Sequence, residues 1–169
     1  MTESDSSCTV PAALSWFNTS VGRITLGPRP QQQDLPGLEQ AQVSHIVSLQ
    51  TSTEDSKALE KLLNKSNIQW RWMPIEISRP SKAADVAMLQ QYLNETQKLL
   101  ASGASIYVHC NDSANRCSLF LYALLHHLRL PSSSAYSALY SLQCSAVHTI
   151  ARNDLAWAAD LGASVKHQF

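Results

Sequence analysis

The sequence is short of charge, of glycine and of long apolar runs. Charged residues are 15% of the 169, and 13 Lys+Arg balance 13 Asp+Glu. A broadly basic nucleic-acid surface is therefore excluded, because such binding depends on neutralising several phosphates. A local basic pocket is not. No apolar stretch approaches the ~20 residues that cross a bilayer. The first residues, Met1 to Cys8, are polar and acidic, with neither the basic nor the apolar region of a secretory signal. The four cysteines (Cys8, Cys110, Cys117, Cys144) contain no C-x-x-C pair. Nothing else reads as secreted, so a reducing, cytoplasmic setting is expected, in which each cysteine is either a small core residue or a chemical one.

What is present is apolar material: 44% of the residues are hydrophobic. That is enough for a sizeable core in one domain. Residues 1–14 read as a flexible leader and 15–169 as the domain. Ser15 to Thr25 suits one or two short strands, and Gly27-Pro28-Arg29-Pro30 ends them. Asp34 is placed to cap a short helix through Gln42, with Pro36 in its first turn. His45-Ile46-Val47-Ser48-Leu49 predicts a buried strand. Thr53 to Ser56 opens a helix with Leu59, Leu62 and Leu63 on one face.

Ile68 to Ile75 alternates and predicts a further strand. Ser81 is placed to cap a long helix carrying Val86, Leu89, Leu93 and Leu100, which Gly103 ends. Ser105 to His109 is a compact strand. Cys117 to Leu128, Ser132 to Gln143 and Ala151 to Val165 follow as helices. Strands alternating with helices predict an α/β fold, a central mostly parallel sheet of four to five strands flanked by helices. Trp70 and Trp72 fall on one strand face as core or lining. His126 and His127 lack a Cys or carboxylate at ligand spacing and read as structural, not as a metal site.

The chemistry lies between the last strand and the helix after it. Cys110 follows the strand directly, Asn111, Asp112, Ser113, Ala114 and Asn115 follow it, and Arg116 comes next. At such a turn backbone N–H groups converge on an anion, and the helix N-terminus adds partial positive charge. The same field lowers a thiol pKa. Arg116 offers a planar fork for two phosphate oxygens. A thiolate beneath a bound phosphoryl group is placed to attack phosphorus.

His109-Cys110-x5-Arg116 resembles the signature of the cysteine-dependent protein tyrosine phosphatases, most of all the small dual-specificity branch. Leu26 to Pro30, His45 to Leu49 and Trp72-Met73-Pro74-Ile75 resemble other segments of that branch, so the likeness covers most of the chain. The resemblance implies a phosphomonoester hydrolase: Cys110 forms a phosphocysteine, Arg116 and the loop residues Asn111, Ser113, Ala114 and Asn115 hold the phosphate, and His109 supports the loop. It implies no metal and no other cofactor. The expected partner is a phosphorylated protein or small phosphomonoester, met by a monomer. A rhodanese-like domain also has a cysteine loop at a strand end, but usually with fewer residues before the arginine.

Three positions depart from that pattern. Ser113 stands where the family usually has glycine, whose freedom allows close backbone approach to the ligand. Cys117 stands where a Ser or Thr hydroxyl usually stabilises the leaving thiolate. It is a weaker donor, and it reads either as a packed helix-start residue or as half of a reversible disulfide. Ile77 stands where the general-acid Asp is common, which leaves Glu76, one residue earlier, and Asp112 in the loop as acid candidates. Asp112 also reads as a loop aspartate bonding nearby N–H groups. An acidic loop residue is reminiscent of myotubularin-type lipid phosphatases, so a phosphoinositide substrate stays open. So does a phosphatase fold that only binds a phosphorylated partner. Arg79, with Lys82 and Arg71, is placed to offset the negative charge of Cys110 and Asp112.

Overall fold

The computed structural model describes residues 14–51, 56–75, 80, 82–109, 116–143 and 150–165, with the backbone alone at 56, 116 and 143. The proposed leader at 1–14 lies outside them except for Leu14. That side chain packs with Trp16 beside the smaller of two cores.

Five strands form one sheet in the order β1-β2-β5-β3-β4. They are β1 (Phe17–Asn18), β2 (Arg23–Gly27), β3 (His45–Ser48), β4 (Gln69–Trp72) and β5 (Ser105–His109). β1 runs antiparallel to β2, and the other neighbours pair in parallel. The expected mostly parallel sheet is present. β5 lies at its centre, between β2 and β3, and Ile106, Tyr107, Val108 and His109 are all fully buried. Such continuous burial is what a strand covered on both faces shows.

Alternation along the strands divides the core in two. Ile24, Leu26, Val47, Ile106 and Val108 face α3 (Ala83–Ala101), α4 (Arg116–His127), α5 (Ser132–Gln143) and α6 (Arg152–Ser164). Ile46 and Tyr107 face the other way, against Leu38 of α1 (Leu35–Gln40) and Leu59 and Leu63 of α2 (Ser56–Leu63). The sheet is thus a middle layer with helices on both sides.

Local details depart from the sequence reading. Asp34 stands at the N-cap position of α1 as expected, but it also closes a 3-10 turn, Gln32–Asp34, and its carboxylate accepts from the Gln31 N–H at 2.8 Å with no side-chain bond into α1. Lys82, not Ser81, occupies the N-cap position of α3, and Ser81 lies outside the described residues. β4 is shorter than Ile68 to Ile75. Met73 still donates to Ser48 O in register, but Ile75 donates to Leu49 O, one residue short of the ladder's spacing, so regular pairing ends there. Gly103 does end α3: its φ of 93° is the left-handed C-terminal conformation that glycine adopts without strain.

α4 and α6 pack backbone to backbone at Gly162, where an added Cβ would lie 2.0 Å from the Ala123 carbonyl oxygen. That oxygen belongs to the buried α4 backbone and cannot turn aside. Gly162→Ala is expected to lower unfolding stability by ~1–3 kcal/mol through overpacking, read as a lower urea midpoint with an unchanged slope.

Candidate functional site at the carboxyl edge of the sheet

Register gathers four strand ends at one edge. Gly27 and Ser48 both pair with His109, and Ser48 pairs with Trp72. In open α/β sheets this edge is where ligands bind. The chain leaves it from β2 at Pro28, from β3 at Leu49, from β4 at Met73 and from β5 at Cys110. α4 then begins at Arg116.

Cys110, Asn111, Asp112, Ser113, Ala114, Asn115, Glu76 and Arg79 lie outside the described residues, and of Arg116 only the backbone is described. Of the signature and its flanking residues, His109 and Cys117 are described fully. His109 ends β5 with no exposed surface, and its Nε2 lies 2.6 Å from Ser48 Oγ. Cys117, in the first turn of α4, is 5% exposed and disulfide-bonded. Its partner is outside the described residues, as are the chain's other cysteines, Cys8, Cys110 and Cys144. The helix-start packing expected of Cys117 is there, with its sulfur oxidised.

The structure also gives polar contacts to residues that the sequence marks only as core or turn. Trp70 donates through Nε1 to Ser48 Oγ at 2.7 Å. A serine inside an apolar strand and a tryptophan on another read as packing residues until the register places them side by side. Trp70 and Trp72 stack with ring centroids 5.9 Å apart and 14° between planes, and Trp72 donates to the Gln50 carbonyl at 2.7 Å. Arg29, just past β2, donates to the buried Gln50 Oε1 at 2.9 Å. A guanidinium is thereby tethered at the edge.

Tyr107 donates to the Pro28 carbonyl at 2.6 Å and pins the chain after β2. Burial, with the Asp34 carboxylate adding to it, pushes its phenol well above the usual range, so the proton stays on the donor. Arg71 alternates to the opposite face of β4 from the tryptophans. There its charge, secondary to burial, lowers the pKa of His45 at the start of β3.

His127 is fully buried in α4. His126 packs its ring edge-on to Tyr122, with centroids 4.8 Å apart, and burial lowers its pKa. Among the described residues no three His, Cys, Asp or Glu side chains group to hold a metal ion, and no helix is long and apolar enough to cross a membrane. A polar groove of about 520 Å³ runs along α3, lined by Gln91, Asn94, Lys98 and Ser164. It includes none of the residues singled out from the sequence.

No protein-family model matches the chain, and no curated protein matches it. Solved structures do. A kinase associated phosphatase with its catalytic-site cysteine replaced by serine superposes with a TM-score of 0.69 at 18% identity, over 89% of this chain and 94% of that one. Tk-PTP in its active form gives 0.65 at 20% identity, over 85% and 94%. TpbA of P. aeruginosa, in a cysteine-to-serine form complexed with pTyr, gives 0.57 at 18% identity, over 94% and 88%. The fold is therefore that of the tyrosine and dual-specificity phosphatases, as the sequence resemblance implied.

Proposed function

We propose that the chain is a cysteine-dependent phosphomonoester hydrolase acting on phosphorylated protein, phosphotyrosine foremost. The observation that carries this reading is the placement of the signature. In a phosphatase fold, Cys110 follows the last residue of the buried central strand and Arg116 opens the helix that succeeds it. The pTyr bound to TpbA supports the substrate class.

In this reading residues 110–115 wrap a phosphoryl group at the α4 N-terminus, whose N–H groups and dipole favour the anion and the thiolate alike. Cys110 Sγ attacks phosphorus, the S–P bond forms, and the bond to the ester oxygen breaks. Asp112 or Glu76 gives that oxygen its proton. Water then attacks the phosphocysteine, inorganic phosphate leaves, and the thiolate returns. Arg116 holds two equatorial oxygens, and Asn111, Ser113, Ala114 and Asn115 line the turn. Arg79 offsets the local negative charge. His109 and Cys117 support the loop from below and beside it.

The chain acts as a monomer with no cofactor, in a cytoplasmic setting where the Cys117 disulfide is transient and reducible. A second reading, a module that binds phosphorylated partners with little turnover, is favoured by Ile77 at the usual acid position and by Ser113 in place of glycine. A phosphoinositide substrate rests on Asp112 alone.

The leaving group tests the acid. p-Nitrophenolate departs unprotonated, whereas the phosphotyrosine oxygen needs a proton. In reduced protein, the amide variant of the true acid (Asp112→Asn or Glu76→Gln) is expected to lose up to ~10²-fold in kcat on a phosphotyrosine peptide. It should lose little on p-nitrophenyl phosphate. Tight phosphate-analogue binding with no turnover of either substrate by the wild type would establish the binding module instead.

A further inference from the structure

We propose that the open edge of β4, flanked by the lysines of α2, takes an extended acidic segment of a partner protein as an added strand.

The inference begins with strand order. β4 stands last in the sheet and, among the described residues, has β3 as its single strand neighbour. In a parallel ladder alternate residues bond to the same side. Gln69 and Met73 donate to Ser44 O and Ser48 O, so Gln69, Arg71 and Met73 bond toward β3. The main-chain groups of Trp70 and Trp72 therefore point the other way, two N–H donors and two carbonyl acceptors along the outer edge. Such a row is a template for another chain. The tryptophan rings do not close it. Their Nε1 groups donate back across the ladder, Trp70 to Ser48 Oγ and Trp72 to the Gln50 carbonyl, each at 2.7 Å.

Charge selects the occupant. From 56 to 75 there are four cations, Lys57, Lys61, Lys65 and Arg71, and one carboxylate, Glu60, in a chain whose charges balance overall. All four cations are exposed. Lys57 Nζ lies 5.6 Å from the centroid of the Trp72 ring, which sets it on the tryptophan face at the end of β4. Lys61 follows one helical turn later on the same side of α2. As the crossover between parallel strands, α2 runs back against the direction of β4, so Lys61 stands nearer the start of that strand.

The spacings match. Four helical residues rise about 6 Å, and two strand residues about 6.6 Å. The lysines thus keep step with every second residue of a strand added to β4, on the sheet face that α2 covers. Glutamates at alternate positions of that strand all fall on this one face, where each meets a lysine. A second copy of the chain is a poor occupant, because antiparallel pairing of two β4 edges brings two lysine rows together.

The test uses the full chain and a fluorescein-labelled peptide of alternating glutamate and threonine. Binding, read by anisotropy, is expected at low ionic strength and should weaken as salt rises. Amide hydrogen exchange at Trp70 and Trp72 should slow in the complex, while that of Arg71, already turned to β3, should change little. Methylating every peptide nitrogen keeps the charges and removes the strand donors, so that peptide should not bind. The double variant Lys57→Gln, Lys61→Gln changes exposed positions only and should weaken binding by roughly 3–10-fold.

Equal binding of the methylated peptide would overturn the proposal, as would a complex in which the Trp70 and Trp72 amides exchange as fast as in the free protein. So would unchanged affinity in the double variant, or no binding at low salt. Protection of those two amides before any peptide is added would mean that the edge is already covered. In a monomer the cover is the chain itself, in a dimer seen by sedimentation a second copy, and either result overturns the proposal. None of these readouts depends on the phosphatase reading.

Discussion

Cys110→Ser is expected to lower kcat on p-nitrophenyl phosphate by ~10⁴-fold or more, with phosphate-analogue affinity within a fewfold of the wild type. A thiol placed as proposed, at a helix N-terminus and close to an arginine, ionises near neutral pH, whereas a serine hydroxyl there does not. On the proposed reading the nucleophile is lost, while the backbone N–H groups and Arg116 that would hold the phosphate stay. Because the change removes one step of chemistry and no binding contact, kcat carries the effect and KM does not. The helix behind the site is buried almost throughout, with Leu121, Ala123, Leu124 and Leu125 wholly enclosed. A one-atom change ahead of it leaves the fold in place, so circular dichroism of the variant should match the wild type. Retention of even a hundredth of the activity would place the chemistry elsewhere.

Arg116→Lys is the second large effect, a loss of ~10²–10³-fold in kcat/KM on the same substrate. Lysine keeps the charge and is as good a helix former, so stability at the start of α4 should be unaffected. What it lacks is the planar fork that grips two oxygens at once. The equatorial oxygens spread as the phosphoryl group passes between sulfur and oxygen, and a point charge follows that motion poorly. The loss should therefore divide between KM and kcat, unlike that at Cys110. Steady-state kinetics with both variants in one buffer reads this contrast. An Arg116→Lys protein with full kcat would show that the arginine acts as a charge alone.

The parts of the fold that were legible in the sequence are those written in local pattern. The β-branched runs at 45–49 and 105–109 became β3 and β5. The leucine spacing at 59–63 became the inner face of α2, and Gly103 ended α3. The helix after Arg116 was visible because nearly every residue from Cys117 to Leu125 is apolar, and the structure buries all of them.

Element bounds and side-chain partners were less legible, because sequence pattern does not fix which bonds form. Alternation continues to Ile75, but the ladder slips at that residue, whose amide bonds Leu49 O where the β3–β4 register would give Gln50 O. Asp34 takes the expected N-cap position of α1, but its carboxylate makes no bond into that helix. The competing 3-10 turn took its carboxylate instead.

The site divides in the same way. Cys110, Arg116 and the residues between them are a contiguous motif, and contiguity is what a sequence displays. Ser48 and Trp70 are not contiguous with anything chemical. Only the parallel pairing of β3 with β4 and β5 sets them against His109. Arg29 is a similar case, since its tether Gln50 follows a different strand. The disulfide at Cys117 was one of two readings open at that residue, because a sequence shows thiols but not their pairing.

The most direct test of the central claim is capture of the covalent intermediate. Reduced protein is mixed with excess p-nitrophenyl phosphate, quenched in acid within the first turnovers and analysed by peptide mass. The account predicts the added mass of one phosphoryl group on the peptide containing Cys110, absent from Cys110→Ser. Rapid product release with Cys110 unmodified, or a phosphoryl group found on a histidine, aspartate or serine, would contradict it.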